Sequence, residues 1–417
     1  MIIDTKLKTF LLVFVILFLA LSLRIYIATF HSDNYDLNLF KQWSKESVVG
    51  DIFSVYKRPV ESGVYAPYLF IYFLKLSGSI YKGFFSPSFN LASNTLSILI
   101  KSAAIFFDLL TGYLIFLLLK KSINFKAGLL GLLFYVFNPG IIYLSAYWGQ
   151  IDALYTLLVF ISIIFLSKSK FYLSWFFIIL AVFTKPQSII FVPLIFFLNL
   201  KVNKKALARL VVLIPVFIFI ILSPIILSGN LFNFVRHYFY VIGRYPYVSV
   251  NAFNPWWLLS KGFGLILDNQ KLFGLIPFFY IGIFLFLISY IFIIYIIRKY
   301  NHKFIYLASS FIAFSFFMLP TQIHERYLFP IFVFLSIVWP KNKQFLIIYI
   351  ILTLTFFANL IAVLPFFQPV AVMGHSYTIS LIFKNIGALI NSVVYVYFIY
   401  IIIKTVSVSK QINVYNS

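Results

Sequence analysis

Apolar runs of roughly 17 to 25 residues recur from one end of this chain to the other, and nothing else in the sequence restricts the fold so strongly. Inside hydrocarbon every backbone N–H and C=O must be satisfied within a helix or a closed barrel. Barrel strands alternate apolar with polar residues, whereas these runs are apolar at consecutive positions, so they read as helices. With 63% hydrophobic and only 10% charged residues among 417, the chain carries more apolar side chain than a soluble interior can bury. The class is an all-α polytopic membrane protein. Segments fall at Leu7–Thr29, Leu96–Leu119, Ala127–Ala146, Ala153–Leu166, Phe171–Thr184, Ser188–Leu200, Ala206–Leu227, Leu272–Ile297, Phe304–Leu319, Tyr327–Trp339, Phe345–Phe367 and Ile379–Ile403, about twelve spans if the shorter ones borrow flanks.

The formal charge of +23 would suggest nucleic acid in a soluble protein. Here the basic residues occupy every second loop: Lys6/Lys8, Lys120/Lys121/Lys126, Lys168/Lys170, Lys201/Lys204/Lys205, Arg298/Lys299/Lys303, Lys341/Lys343 and Lys404/Lys410. That alternation is topological, places both termini in the cytoplasm, and removes nucleic acid as a partner. The absence of cysteine excludes disulfides, thiolate metal sites and cysteine nucleophiles. The first run is too long for a signal-peptide core and lacks a small-residue cleavage site, so it stays as a helix of a cell-membrane protein. Residues 1–417 read as one polytopic domain, with the polar motifs in 24–330 and a C-terminal group of helices in 331–417.

The other set of loops, on the non-cytoplasmic side, carries the chemistry. The first is long, about 30–95, and opens with FHSDNYDLNLFKQWSKE, which holds Asp33 and Asp36 out of only 10 acidic residues. Its piece Ala66–Gly78 is too short to cross and is expected along the interface. Then come Trp148-Gly-Gln150-Ile-Asp152, Thr184-Lys185-Pro-Gln187, the long fourth loop Ser228–Lys271 with Arg236, His237, Arg244 and Asn251, and His324-Glu325-Arg326 before an apolar run. An ionisable group beside a membrane cavity is a functional candidate, and Asp36 is the candidate reacting group. Each motif also has a plain reading. Asp33 and Asp36 suit helix capping or a lysine pair, Trp148 and Gln150 an interfacial helix start, Lys185 snorkelling, and Glu325–Arg326 a pair of their own. Arg24, Arg236, His237 and Arg244 face a lipid phosphate or simply sit among headgroups. Asp108, within IFFDLLTGY, reads as a buried residue paired with Lys101 or with another helix. No HExxH, Walker loop or GxSxG turn is present; Asp33 and Asp36 beside a phosphate offer Mg²⁺ or Mn²⁺ a weak site at most.

Taken in order, D-L-x-x-F-x-x-W (Asp36, Leu37, Phe40, Trp43), Y-x-P-Y (Tyr65–Tyr68), K…DLLT (Lys101, Asp108–Thr111), NP…WGQ-D (Asn138, Pro139, Trp148–Asp152), TKPQ (Thr184–Gln187), NAFN-W (Asn251–Asn254, Trp256) and HERYLFP (His324–Pro330) resemble membrane glycosyltransferases of the GT-C class. The nearest likeness is to prokaryotic relatives of the GPI-anchor mannosyltransferases. The resemblance implies a GT-C-like bundle with interfacial helices in the first and fourth outer loops. It further implies a sugar on a polyprenyl phosphate as donor, a lipid-linked saccharide or envelope glycan as acceptor, and inversion at the anomeric carbon. Asp36 matches the family's general base and His324 a histidine that contacts the donor phosphate. Relatives often carry D-x-D in the first loop, where this chain has Asp33-Asn34-Tyr35-Asp36, which leaves metal dependence and the role of Asp33 open. Lys185, His324, Arg326 and Arg236 are the expected phosphate-binding cations, and Trp43, Trp148, Trp256 and Trp257 are candidates to stack on sugars. A polyprenyl-diphosphate glycan ligase and a lipid or solute transporter are the rival readings.

Overall fold

The computed structural model describes residues 5–30, 34–59, 66–241, 243–260, 266–300, 302–366 and 381–415. Its helices run α1 (Thr5–Ala28), α2 (Tyr35–Val49), α3 (Tyr68–Phe84), α4 (Asn94–Ser122), α5 (Phe125–Val136), α6 (Pro139–Ile142), α7 (Asp152–Ser167), α8 (Phe171–Thr184), α9 (Val192–Val202), α10 (Lys204–Leu227), α11 (Leu231–Tyr240), α12 (Pro255–Ser260), α13 (Phe278–Ile297), α14 (Ile305–Met318), α15 (Pro330–Val338), α16 (Gln344–Val363) and α17 (Leu381–Tyr415). The protein is an all-α membrane protein with, among the described residues, one small exception, an antiparallel hairpin of β1 (Lys271–Leu272) and β2 (Ile276–Pro277). Residues 272–277, expected as the start of a span, form this hairpin, and the helix begins at Phe278.

Among the described residues six helices are long and apolar enough to cross a membrane: Leu7–Ala28, Asn94–Ser122, Lys204–Leu227, Phe278–Ile297, Gln344–Val363 and Leu381–Ser407. A seventh is added if Phe125–Val136 and Pro139–Trp148, which meet at a 48° bend, count as one. The bend sits at Asn138-Pro139, where Pro139 has no N–H to continue α5 and Asn138 caps α6 through Gly140 and Ile141. The segments expected at Ala153–Leu166, Phe171–Thr184, Ser188–Leu200 and Phe304–Leu319 are apolar helices of 10–17 residues. The one expected at Tyr327–Trp339 shortens to α15, nine residues that are all buried, a central post rather than a lipid-facing wall.

Side chains sort by face. On α1, Val13, Ile16, Ala20, Arg24 and Ala28 form a buried stripe, while Phe10, Phe14 and Phe18 point outward. Small residues let helices approach, since lipid tails supply no hydrophobic drive between them. A Cβ on Gly128 of α5 would stand 2.8 Å from the Phe116 carbonyl of α4, so only glycine fits that crossing. Residues Ala66–Gly78, expected along the interface, mostly enter α3, which packs on α2 through the Ser44 hydroxyl donating to the Leu74 carbonyl at 2.7 Å. The C-terminal helices are not a separate bundle. Asn138 donates to Thr353 at 2.7 Å and to Tyr349 at 3.1 Å on α16, and Asn359 of α16 reaches back to Asn251.

Arg24 does not sit among headgroups. It is fully buried on α1, donates to the Val136 carbonyl at 2.8 Å, and lies 3.7 Å from Asp108 of α4. The partner of Asp108 is therefore Arg24. Lys101 instead points to the end of α1, where it donates to the Ala28 and Phe30 carbonyls at 3.3 and 3.5 Å. A cation at a helix C-terminus is favourable there.

Candidate active site

Two turns and one cap bring Asp36 to a fixed place. Asn34 caps α2: its side-chain oxygen accepts from the Leu37 N–H at 2.8 Å, while its amide donates to the Trp148 carbonyl at 3.2 Å. Asp36 stands in the first turn of α2, where the exposed N–H groups favour a negative charge. After α6 the chain widens into a π-turn over Tyr143–Trp148 and ends at Gly149, whose φ of 84° a side chain would resist. That reversal aims Gln150 at α2, and the Gln150 amide donates to one carboxylate oxygen of Asp36. Gln150 is thus a positioning residue for Asp36. If Asp36 acts as a base, Gln150→Ala is expected to lower turnover about tenfold or more with little change in protein yield, because an unheld carboxylate loses the orientation a proton transfer needs. Steady-state rates in purified protein check this; an unchanged rate removes the role.

The cations arrive from later in the chain. Lys185 closes α8 and donates to Asp152 of α7 at 2.7 Å, with its ammonium over the Tyr155 ring at 5.1 Å and the Tyr327 ring at 5.8 Å. It does not snorkel, since its side chain is only 11% exposed. Arg326 donates to Glu325 at 2.9 Å, and Glu325 also lies 3.9 Å from His324. This turn is clamped from three sides. Val250 N–H donates to the Ile323 carbonyl at 3.1 Å, Gln322 N–H to the Tyr247 carbonyl at 3.0 Å, and the side chains of Thr321 and Gln322 to Asp268 at 2.9 and 2.7 Å. Asn251, at a φ of 65°, bridges to His324, and Asn359 holds it by donating to its carbonyl at 2.7 Å while accepting from Phe253 N–H at 2.9 Å. Asparagine tolerates that left-handed backbone better than most residues.

These parts share one cavity of about 500 Å³, in the usual range for a small-molecule site. Asp36, Gln150, Lys185, Gln187, Arg244, His324 and Arg326 line it, with Leu39, Phe40 and Trp43 from α2. Toward its rim lie Ile189 and Phe239, both about 60% exposed, so the polar floor continues into an apolar, accessible edge. The expected residues divide accordingly. Trp148, Asp152, Asn251 and Glu325 are buried supports behind the lining rather than lining themselves. Arg236 is not in the cavity: it lies on α11 with its guanidinium over the Phe232 ring at 5.8 Å, and Arg244, over the Tyr245 ring at 5.3 Å, takes the place expected for it. Of the tryptophans only Trp43 lines the cavity; Trp256 instead donates to the Leu319 carbonyl at 2.6 Å. Asp33 and Tyr65 lie outside the described residues. Among the described residues no three His, Asp or Glu side chains gather into a potential metal site.

Electrostatics correct one expectation. Burial, with Arg326, Lys185 and Arg244 nearby, holds the His324 imidazole well below its usual value, which favours the neutral ring over a fixed cation. Burial also raises the Glu325 carboxyl, against the pull of Arg326. Tyr245 is a lining residue that the sequence reading did not name; its signal was a place in a basic and aromatic run, Arg244-Tyr-Pro-Tyr247, beside the already noted Arg244. The chain matches no protein-family model and no curated protein.

Proposed function

We propose that this protein is a membrane glycosyltransferase that moves one hexose, mannose by the nearest likeness, from a polyprenyl-phosphate donor to a lipid-linked or cell-envelope acceptor. The reading rests on one observation: a single cavity holds a positioned carboxylate, Asp36, and a group of phosphate-type donors, Lys185, Arg244, His324 and Arg326, beside an apolar rim. Its topology takes the twelve apolar segments as crossings, with both termini cytoplasmic and the cavity on the non-cytoplasmic side. The cavity is large enough for a sugar phosphate and too small for an isoprenoid chain, which suits a donor whose tail leaves past Ile189 and Phe239 into lipid.

In the reaction the acceptor hydroxyl attacks the anomeric carbon, the bond from that carbon to the phosphate oxygen breaks with its electron pair going to the phosphate, and the hydroxyl proton passes to Asp36. Attack from the opposite face inverts the anomeric centre. The growing negative charge on the leaving phosphate is met by Lys185, Arg244 and Arg326, whose partial burial makes them act more strongly than they would in bulk solvent. Cells with and without the protein are compared for extracted polyprenyl-linked species. Loss of the protein is expected to accumulate a lipid-linked sugar monophosphate. Accumulation of a diphosphate-linked oligomer instead would assign the protein to glycan ligation.

A further inference from the structure

We infer that His324 is a proton-coupled anchor: a lipid-linked phosphodiester seats in the cavity together with one proton, which His324 takes up. The inference rests on the donor reading of the cavity and adds how the anion is recognised. It starts from geometry. The His324 ring is wedged between Tyr245 and Tyr327, at 5.1 and 5.2 Å between ring centres, and its backbone is fixed by the bridge to Asn251. It therefore cannot leave the cavity wall to escape its neighbours. Those neighbours are Glu325, Arg326 and Tyr327 of its own turn, Arg244 and Tyr245 after α11, Lys185 at the end of α8, Asp152 of α7 behind Lys185, and Asp36 of α2 across the cavity.

Among the described residues the charges already balance. Lys185 is met by Asp152 and Arg326 by Glu325, which leaves Arg244 and Asp36 with opposite signs. A phosphodiester monoanion entering this group adds one negative charge beyond that balance. The only side chain there able to gain a positive charge near neutral pH is His324. The three cations that disfavour the imidazolium in the free protein are engaged by the phosphate when it arrives, and the phosphate itself favours the charged ring. The imidazolium then remains beside the phosphate monoester that transfer leaves behind, where the second ionisation of the product again needs a proton nearby.

The sign follows from linkage. Between the low value of the free protein and the higher value of the complex, binding takes up a proton, so affinity falls as pH rises, by at most about tenfold per pH unit for one proton. Below the free-state value affinity is flat.

The test uses the full chain in lipid nanodiscs and a short isoprenyl methyl phosphate diester, whose phosphate does not titrate between pH 5 and 9. Calorimetry in two buffers of different ionisation enthalpy is expected to give close to one proton taken up per ligand near pH 7. His324→Gln should bind several-fold more weakly, with uptake near zero and affinity independent of pH. Dimethyl phosphate, the same anion without a chain, should bind at least tenfold more weakly than the isoprenyl diester. No uptake in the wild type, or the same uptake in His324→Gln, overturns the anchor; dimethyl phosphate binding as tightly as the diester overturns the lipid-linked assignment. Should His324→Gln fail to fold, nitrogen-15 histidine NMR of the wild type serves: adding the diester at pH 7 must move the His324 ring nitrogens to imidazolium shifts, and unchanged neutral-ring shifts overturn the inference. Sugar transfer is not measured, so diester binding with proton uptake in a protein that transfers no sugar would refute the enzyme reading and leave the anchor standing.

Discussion

Asp36→Asn is expected to lower sugar transfer by about 10²- to 10⁴-fold, the range a positioned general base supplies. The substitution keeps size and shape, and the asparagine oxygen still accepts from the Gln150 amide, so neither α2 nor the turn before it is disturbed. Donor binding should change little, because the cations lining the cavity come from other elements. The defect should therefore appear in turnover and not in apparent donor affinity. Membranes carrying the variant, supplied with polyprenyl-phosphate sugar, give the measurement. Turnover above a tenth of the wild-type rate would show that another group takes the proton.

The second large effect concerns stability. Arg24→Met leaves Asp108 as a fully buried carboxylate without its cation and also removes a donor from the Val136 carbonyl. Breaking one side of a buried pair costs about 3–5 kcal/mol, whereas replacing both sides with apolar groups is often neutral. Thermal unfolding in detergent should thus show a marked loss for Arg24→Met and near-recovery for Arg24→Met/Asp108→Leu. Equal destabilisation by single and double variants would mean that the arginine's link to α5 matters and its charge does not. A variant of this kind should also lose transfer, since Ala28 and Phe30 at the end of α1 anchor Lys101, which packs under Gly149.

The sequence carried the membrane class and the grouping of motifs for clear physical reasons. Runs of apolar residues are long-range signals that tertiary packing does not erase, and the residues expected around Asp36 came from loops that alternate with the lysine-rich ones. Span lengths were less legible. A segment such as Tyr327–Trp339 is apolar either because lipid surrounds it or because protein does, and hydropathy cannot separate the two; α15 is the second case. Pairings were the least legible part. Nothing local tells Asp108 to choose Arg24 over Lys101, which lies on its own helix, because the choice depends on where α1 crosses α4. The division between Arg236 and Arg244 depended on a single break, the end of α11 at Tyr240, after which the chain turns inward. The state of His324 was hidden for a different reason: a histidine's charge is set by neighbours distant in sequence, here Lys185 and Arg244.

The cavity joins the two ends of the motif-bearing chain, with Asp36 near its start and Arg326 about 290 residues further on. At ribosomal speeds of about 5–20 residues per second, roughly 15 to 60 s separate their emergence. For that interval the nascent polypeptide carries Asp36 but lacks His324, Arg326 and Tyr327, so one wall of the cavity is missing. A message truncated anywhere before the codon for Arg326 would therefore yield a membrane protein whose cavity is never completed.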